Sequence, residues 1–189
     1  MEYVCVYCGS SSGSSSAYDD AIAQFAAELV ERDIGLVYGG ANGGVMGALA
    51  DAVLDGGGEV IGIIPETILD REQPHESLTE LIVTESKDER KRRMSDLADG
   101  FVALPGGLGT QEELFQMLGQ AKHGVHGKPC GYLNVAGYYD SLVAFLDHAV
   151  EEGFVSADQR GLALVEERPD ALLDAFETYS SPFVDPDTL

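Results

Sequence analysis

The stretch FVALPGGLGTQEELFQML, residues 101–118, changes character twice. It opens on four apolar residues, turns through Pro105 and three glycines, and continues with Leu114, Phe115 and Leu118 at helical spacing. That order predicts a strand over 101–104, a tight loop, and a helix over 111–122. Thr110-Gln-Glu-Glu113 fits the capping box S/T-x-x-E, in which Thr110 would start the helix and Glu113 would bond back to the backbone of Thr110. The same residues suit a catalytic site, because a glycine loop running into a helix N-terminus presents backbone amides to an anion. Glu112 is not needed for the box and lies one position around the helix. Both readings stand on these residues alone.

Working outward, the same alternation covers the chain. Short apolar runs predict strands over 3–8, 34–38, 59–64, 81–84, 101–104, 130–134 and 162–165. Helical periodicity predicts helices over 17–32, 44–55, 87–98, 111–122, 138–151 and 169–179, with stripes such as Ala21/Phe25/Leu29 and Leu142/Phe145/Leu146/Ala149. Strands that alternate with helices through short connections imply a parallel sheet covered on both faces. Such strands read as continuous apolar runs. The expected architecture is a doubly wound, Rossmann-type α/β domain of about seven strands. Its 189 residues form one domain, with 180–189 a loose tail. The serine-rich 9–18 is a loop between a strand and a helix. The segment 65–80 is the longest irregular stretch, and insertions of that length on an α/β sheet often carry function.

Thirty-three acidic residues stand against 11 basic ones, a net charge of −22. Such a field repels nucleic acid and anionic membranes, which sets both aside as general partners. Two readings fit the excess: a soluble acidic protein, or adaptation to high salt, where concentrated ions screen self-repulsion. No apolar run reaches the roughly 18 residues of a membrane span, and the N-terminus has no signal-peptide pattern, so the expected location is the cytoplasm. Cys5 and Cys8 have redox spacing but lie in a strand, where residues three apart face opposite sides. With Cys130 they read as small buried residues. No second Cys/His pair has zinc-ligand spacing, so no metal is expected.

In such folds ligands bind beyond the carboxyl ends of the strands. Three loops fall there: Gly9–Ser16 with Ser10, Gly39–Gly47 with Gly39, Gly40, Gly43 and Met46, and Gly106–Gly109 leading into Thr110. None is a dinucleotide fingerprint or a P-loop, so neither a redox cofactor nor ATP is supported. Two glycine loops in one sheet point instead to a phosphate. Five of the 11 positive charges sit in KDERKRRM, residues 87–94, at the same edge. Arg90 shares a helix face with Met94, and its planar fork suits phosphate. Arg92, and with it Arg93, reads as a solvated face.

Together, CVYCGSS, YGGANGGVMG, ERK and above all PGGLGTQEE resemble the LONELY GUY (LOG) family of cytokinin-activating phosphoribohydrolases, often labelled lysine decarboxylase-like. The pattern P-G-G-x-G-T-x-x-E is matched at every fixed position from Pro105 to Glu113, and the likeness continues through LNVAGYYDSLVAFLDHAVEEGFV. The resemblance implies hydrolysis of the N-glycosidic bond of N6-modified or plain AMP to free base and ribose 5-phosphate. It implies that Gly106, Gly107, Leu108, Gly109 and Thr110 hold the phosphate and that Arg90 and Lys91 are the paired basic residues. It further implies a catalytic glutamate at Glu113, with Glu112 second, and a ribose contact from Glu72. Lys87-Asp88 stand where the family often has Met-His. No cofactor is implied, and no lysine sits in a setting for a Schiff base. Similar proteins form at least dimers, and the apolar faces of helices 17–32 and 111–122 are the candidate contacts. The alternative is a non-catalytic carrier of a phosphorylated ligand, since the resemblance extends to molybdenum-cofactor carrier proteins.

Overall fold

The computed structural model describes residues 1–69 and 73–184. Seven strands, β1 (Tyr3–Tyr7), β2 (Gly35–Tyr38), β3 (Val60–Pro65), β4 (Glu80–Thr84), β5 (Gly100–Ala103), β6 (Cys130–Leu133) and β7 (Ala163–Glu166), form one sheet in the order β4-β3-β2-β1-β5-β6-β7. All neighbours pair in parallel. Helices α1 (Ser16–Glu31), α2 (Gly44–Asp55) and α7 (Pro169–Glu177) supply apolar residues to the core on one face. Helices α3 (Lys87–Leu97), α4 (Leu108–Ala121) and α5 (Asp140–Glu151) lie on the other.

The strands read as apolar runs because both faces are covered. Val4, Val6 and Cys8 enter one core and Cys5 and Tyr7 the other, as do Leu36 and Tyr38 against Val37. Cys5 and Cys8 therefore face opposite sides of the sheet, and burial pushes both thiols up. Edge strand β4 departs from the expected double burial. Leu81 and Val83, on the strand at the end of the sheet, are exposed.

Three local differences from the sequence reading matter. First, α4 starts at Leu108, not at 111, and its N-cap is Gly107 without a side-chain cap. Thr110 lies inside the first turn and is buried, so the capping box at 110–113 does not form. Its side chain packs under Gly106, where an added Cβ would sit 2.1 Å from Thr110 Oγ1. The chain does have a capping box, at Ser156/Gln159, opening the short helix α6 (Ala157–Gly161) that periodicity missed. Second, the apolar stripe of α1 is spent on the core through Ile22, Phe25, Ala26 and Leu29, which removes that face as an association surface. Third, α5 has no fully buried residue. Leu142 and Leu146 pack against the core, while Phe145 is exposed.

A 3-10 turn spans Glu66–Ile68, and residues 73–75 lie against the Gly39–Gly47 loop. Pro74 bridges Ala41, the His75 N–H donates to the Gly40 carbonyl, and the Asn42 N–H donates to Gln73. Among the described residues, no helix is long and apolar enough to cross a membrane.

Candidate functional site

The sheet runs outward from β1 in both directions, first to β2 and β3, then to β5 and β6. The β1–α1 and β5–α4 loops thus part at the carboxyl edge and open a crevice at the topological switch point. Residues expected in three separate loops meet there. The Gly9 N–H donates to the Pro105 carbonyl at 3.2 Å, and the Met46 N–H donates to the Gly9 carbonyl at 3.3 Å. The Ser10 backbone lies against Gly43 and Gly44. Helices α2 and α4 begin at glycines with no side-chain cap, whereas α1, α3 and α6 begin at serine caps. Their first-turn amides have no intrahelical acceptor, and an anion can take that place.

Two ion pairs join α3 to α4. Arg90 Nη1 lies 3.4 Å from Glu113 Oε1, with only 15% and 14% of the side chains exposed. Arg90 Nε donates to the Ile63 carbonyl at 3.0 Å. The guanidinium passes over Gly39, where a Cβ would lie 2.4 Å from Nη2 and 3.2 Å from Met46 Sδ. Glycine at 39 is thus explained by close approach of the arginine rather than by a turn. One residue further on, Lys91 Nζ meets Glu112 Oε1 at 2.5 Å, and Glu112 is largely solvated. Arg92 and Arg93 are exposed and Met94 is buried, as their helical positions predict.

The remaining expected residues fall as follows. Gly107 and Gly109 have open space around them, and Gly40 packs on β3 at Ile63. Leu108 is 91% exposed. Glu72 lies outside the described residues.

Sequence reasoning missed the support beneath the loop. Tyr139 Oη donates to the Leu104 carbonyl at 2.7 Å and accepts from Gln111 Nε2 at 3.2 Å. Tyr138 Oη donates to the Gly106 carbonyl at 2.7 Å. Asn134 accepts from the Tyr139 N–H and donates to Asp140, fixing the corner that carries both tyrosines. The paired tyrosines of NVAGYYD were the signal, but nothing local connects them to a loop more than thirty residues away. Among the described residues, no cluster of three or more potential metal ligands occurs.

The sequence model of a family described as "Possible lysine decarboxylase" matches residues 46–176. The cytokinin riboside 5'-monophosphate phosphoribohydrolase LOG2 of Arabidopsis thaliana is 48% identical over 176 residues, 93% of this chain and 83% of that protein. The probable cytokinin riboside 5'-monophosphate phosphoribohydrolase LOGL6 of Oryza sativa subsp. japonica is 46% identical, over 94% of this chain and 71% of its own length. Among solved structures, the molybdenum cofactor binding protein of Rippkaea orientalis superposes with a TM-score of 0.70 at 20% identity, covering 94% of this chain and 96% of the other. The Moco carrier protein of Chlamydomonas reinhardtii gives 0.69 at 18%, again over 94% and 96%. The two carriers share the fold; the two plant proteins share nearly half the sequence. The chain belongs to the LOG family.

Proposed function

We propose that the crevice hydrolyses the N-glycosidic bond of a nucleoside 5'-monophosphate, an N6-modified or plain AMP, releasing the free base and ribose 5-phosphate. The observation that carries this reading is the Arg90–Glu113 pair, a shielded carboxylate held one helical turn beyond an uncapped glycine loop. In this reading the amides of Gly106–Thr110, with the Gly39–Gly43 loop, Met46 and Ser10 beside them, bind the phosphate end. That places the ribose towards Glu113. Phosphate binding then positions C1′ with energy spent away from the reacting atom.

Cleavage of the C–N bond develops positive charge on the ribose, as in other glycosidic cleavages. The Glu113 carboxylate stabilises that charge and orients water for attack on C1′. Arg90 holds the carboxylate in place, since its own fork is anchored on Ile63. Glu112, paired outward with Lys91, serves the rim. Glu72 is kept as a proposed ribose contact. Binding of the carrier type is the competing reading, and likeness at 18–20% identity supports only the shared fold.

The test is incubation with N6-isopentenyl-AMP, AMP and the corresponding ribosides, in dilute and in molar KCl, with chromatographic detection of free base. Base should appear from the nucleotides and far more slowly from the ribosides. Bound but intact nucleotide under both salt conditions would reverse the conclusion in favour of a carrier.

A further inference from the structure

The Gly106–Gly107 peptide has no side chain on either neighbour to set its plane, and glycine leaves both dihedrals permissive. Its orientation is held from outside. The carbonyls of the loop are taken in turn: Leu104 by the Tyr139 hydroxyl, Pro105 by the Gly9 amide, Gly106 by the Tyr138 hydroxyl, and Gly107 by the Gln111 amide. Three of these holders are buried or backbone groups. Tyr138 is different, because it is 43% exposed and lines a 240 Å³ cleft with Gly9, Ser10, Gly13, Tyr18 and Pro105. Its ring is fixed edge-on between Tyr18, at 5.9 Å, and Tyr139, at 4.9 Å.

In a trans peptide the C=O and the following N–H point in opposite directions. By holding the Gly106 carbonyl towards itself, Tyr138 turns the Gly107 N–H away from the α1 side of the loop. Among the described residues that amide has no acceptor. We infer that Tyr138 is a positioning residue that sets affinity for the substrate's phosphate by fixing the Gly106–Gly107 peptide plane. The inference rests on the reading of 106–110 as the phosphate loop.

Tyr138→Phe removes only the hydroxyl and keeps the ring contacts. One neutral hydrogen bond corresponds to about a fivefold effect. The expected result is a KM for nucleotide raised about fivefold, an inhibition constant for ribose 5-phosphate raised by the same factor, and kcat within about twofold of the parent. That pattern marks lost uniform binding. Unchanged KM and unchanged ribose 5-phosphate inhibition in the folded variant would overturn the inference, as would a fall in kcat alone. The Gly107 amide resonance gives a readout independent of turnover. Phosphate should shift it strongly in the parent and weakly in Y138F, and equal shifts would also overturn it. If ribose 5-phosphate and inorganic phosphate fail to bind even the parent protein, the phosphate-loop reading falls first and the inference with it.

Discussion

Helices α3 and α4 face each other through two ion pairs one residue apart, Arg90–Glu113 and Lys91–Glu112. Both join a cation of the same basic cluster to a neighbouring glutamate of the same motif. The inner pair is shielded from water, and its arginine is anchored on a strand carbonyl. The outer pair is the shorter contact, 2.5 Å against 3.4 Å, yet Glu112 is 58% exposed. Proximity alone would rank them the wrong way round. An exposed pair is screened and contributes little, whereas a shielded carboxylate keeps its field for a charge that develops next to it. The hundred-degree step between adjacent helical positions is enough to give two like residues different environments.

The largest effect that would sharpen this contrast is expected from Glu113→Gln. Loss of the carboxylate should lower kcat by about 10³, in the range for removing an electrostatic stabiliser or general base. The variant should still bind nucleotide by calorimetry. A melting loss as large as the activity loss would return Glu113 to a structural role. Arg90→Lys comes next. A lysine keeps the charge but cannot donate to Ile63 and Glu113 in one rigid fork, so kcat should fall about 10- to 100-fold, measured by the same base-release assay. Full activity in R90K would break the idea that the arginine orients the glutamate.

A third experiment loosens α4 without touching either pair. His126 Nδ1 accepts from the Lys128 N–H, which leaves Nε2 to donate to the Met117 carbonyl of α4. Burial, and Lys128 beside it, hold the imidazole below its usual 6.5. The unfolded chain therefore takes up this proton first as pH falls. Stability is complete above about pH 6.5 and is lost as acid protonates the unfolded state. His126→Gln should flatten the fall in melting temperature between pH 7 and 5, and an unchanged slope would refute this contribution. The smallest effect is expected from Glu112→Gln, with kcat within about twofold and stability changed by under about 1 kcal/mol. A loss approaching that of E113Q would erase the distinction between the two pairs.

Much of this contrast was legible in the sequence, and its limits are physical. The seven apolar runs gave the strands to within a residue or two, because six of them are buried on both faces or nearly so, and even edge strand β4 keeps an apolar run. Arg90 could be separated from Arg92 by helical phase with Met94. Glu113 could not be separated from its capping role, because S/T-x-x-E says nothing of which residue actually takes the N-cap. In the folded chain Gly107 takes it, and Thr110 turns inward beneath Gly106. Tyr138 and Tyr139 were illegible as site residues for another reason. They act on backbone carbonyls, and a carbonyl leaves no trace in residue type. Likewise the stripe on α5 gave its apolar face but not how little of it the core would cover.

The central claim is that the phosphate anchors the nucleotide while the C–N bond breaks at Glu113. Phosphorus-31 NMR of AMP incubated with the parent protein, read beside the ultraviolet signal of the base, tests it most directly. Ribose 5-phosphate and adenine should appear in equal amounts with no inorganic phosphate. Inorganic phosphate with adenosine, or AMP bound and unchanged, would contradict it.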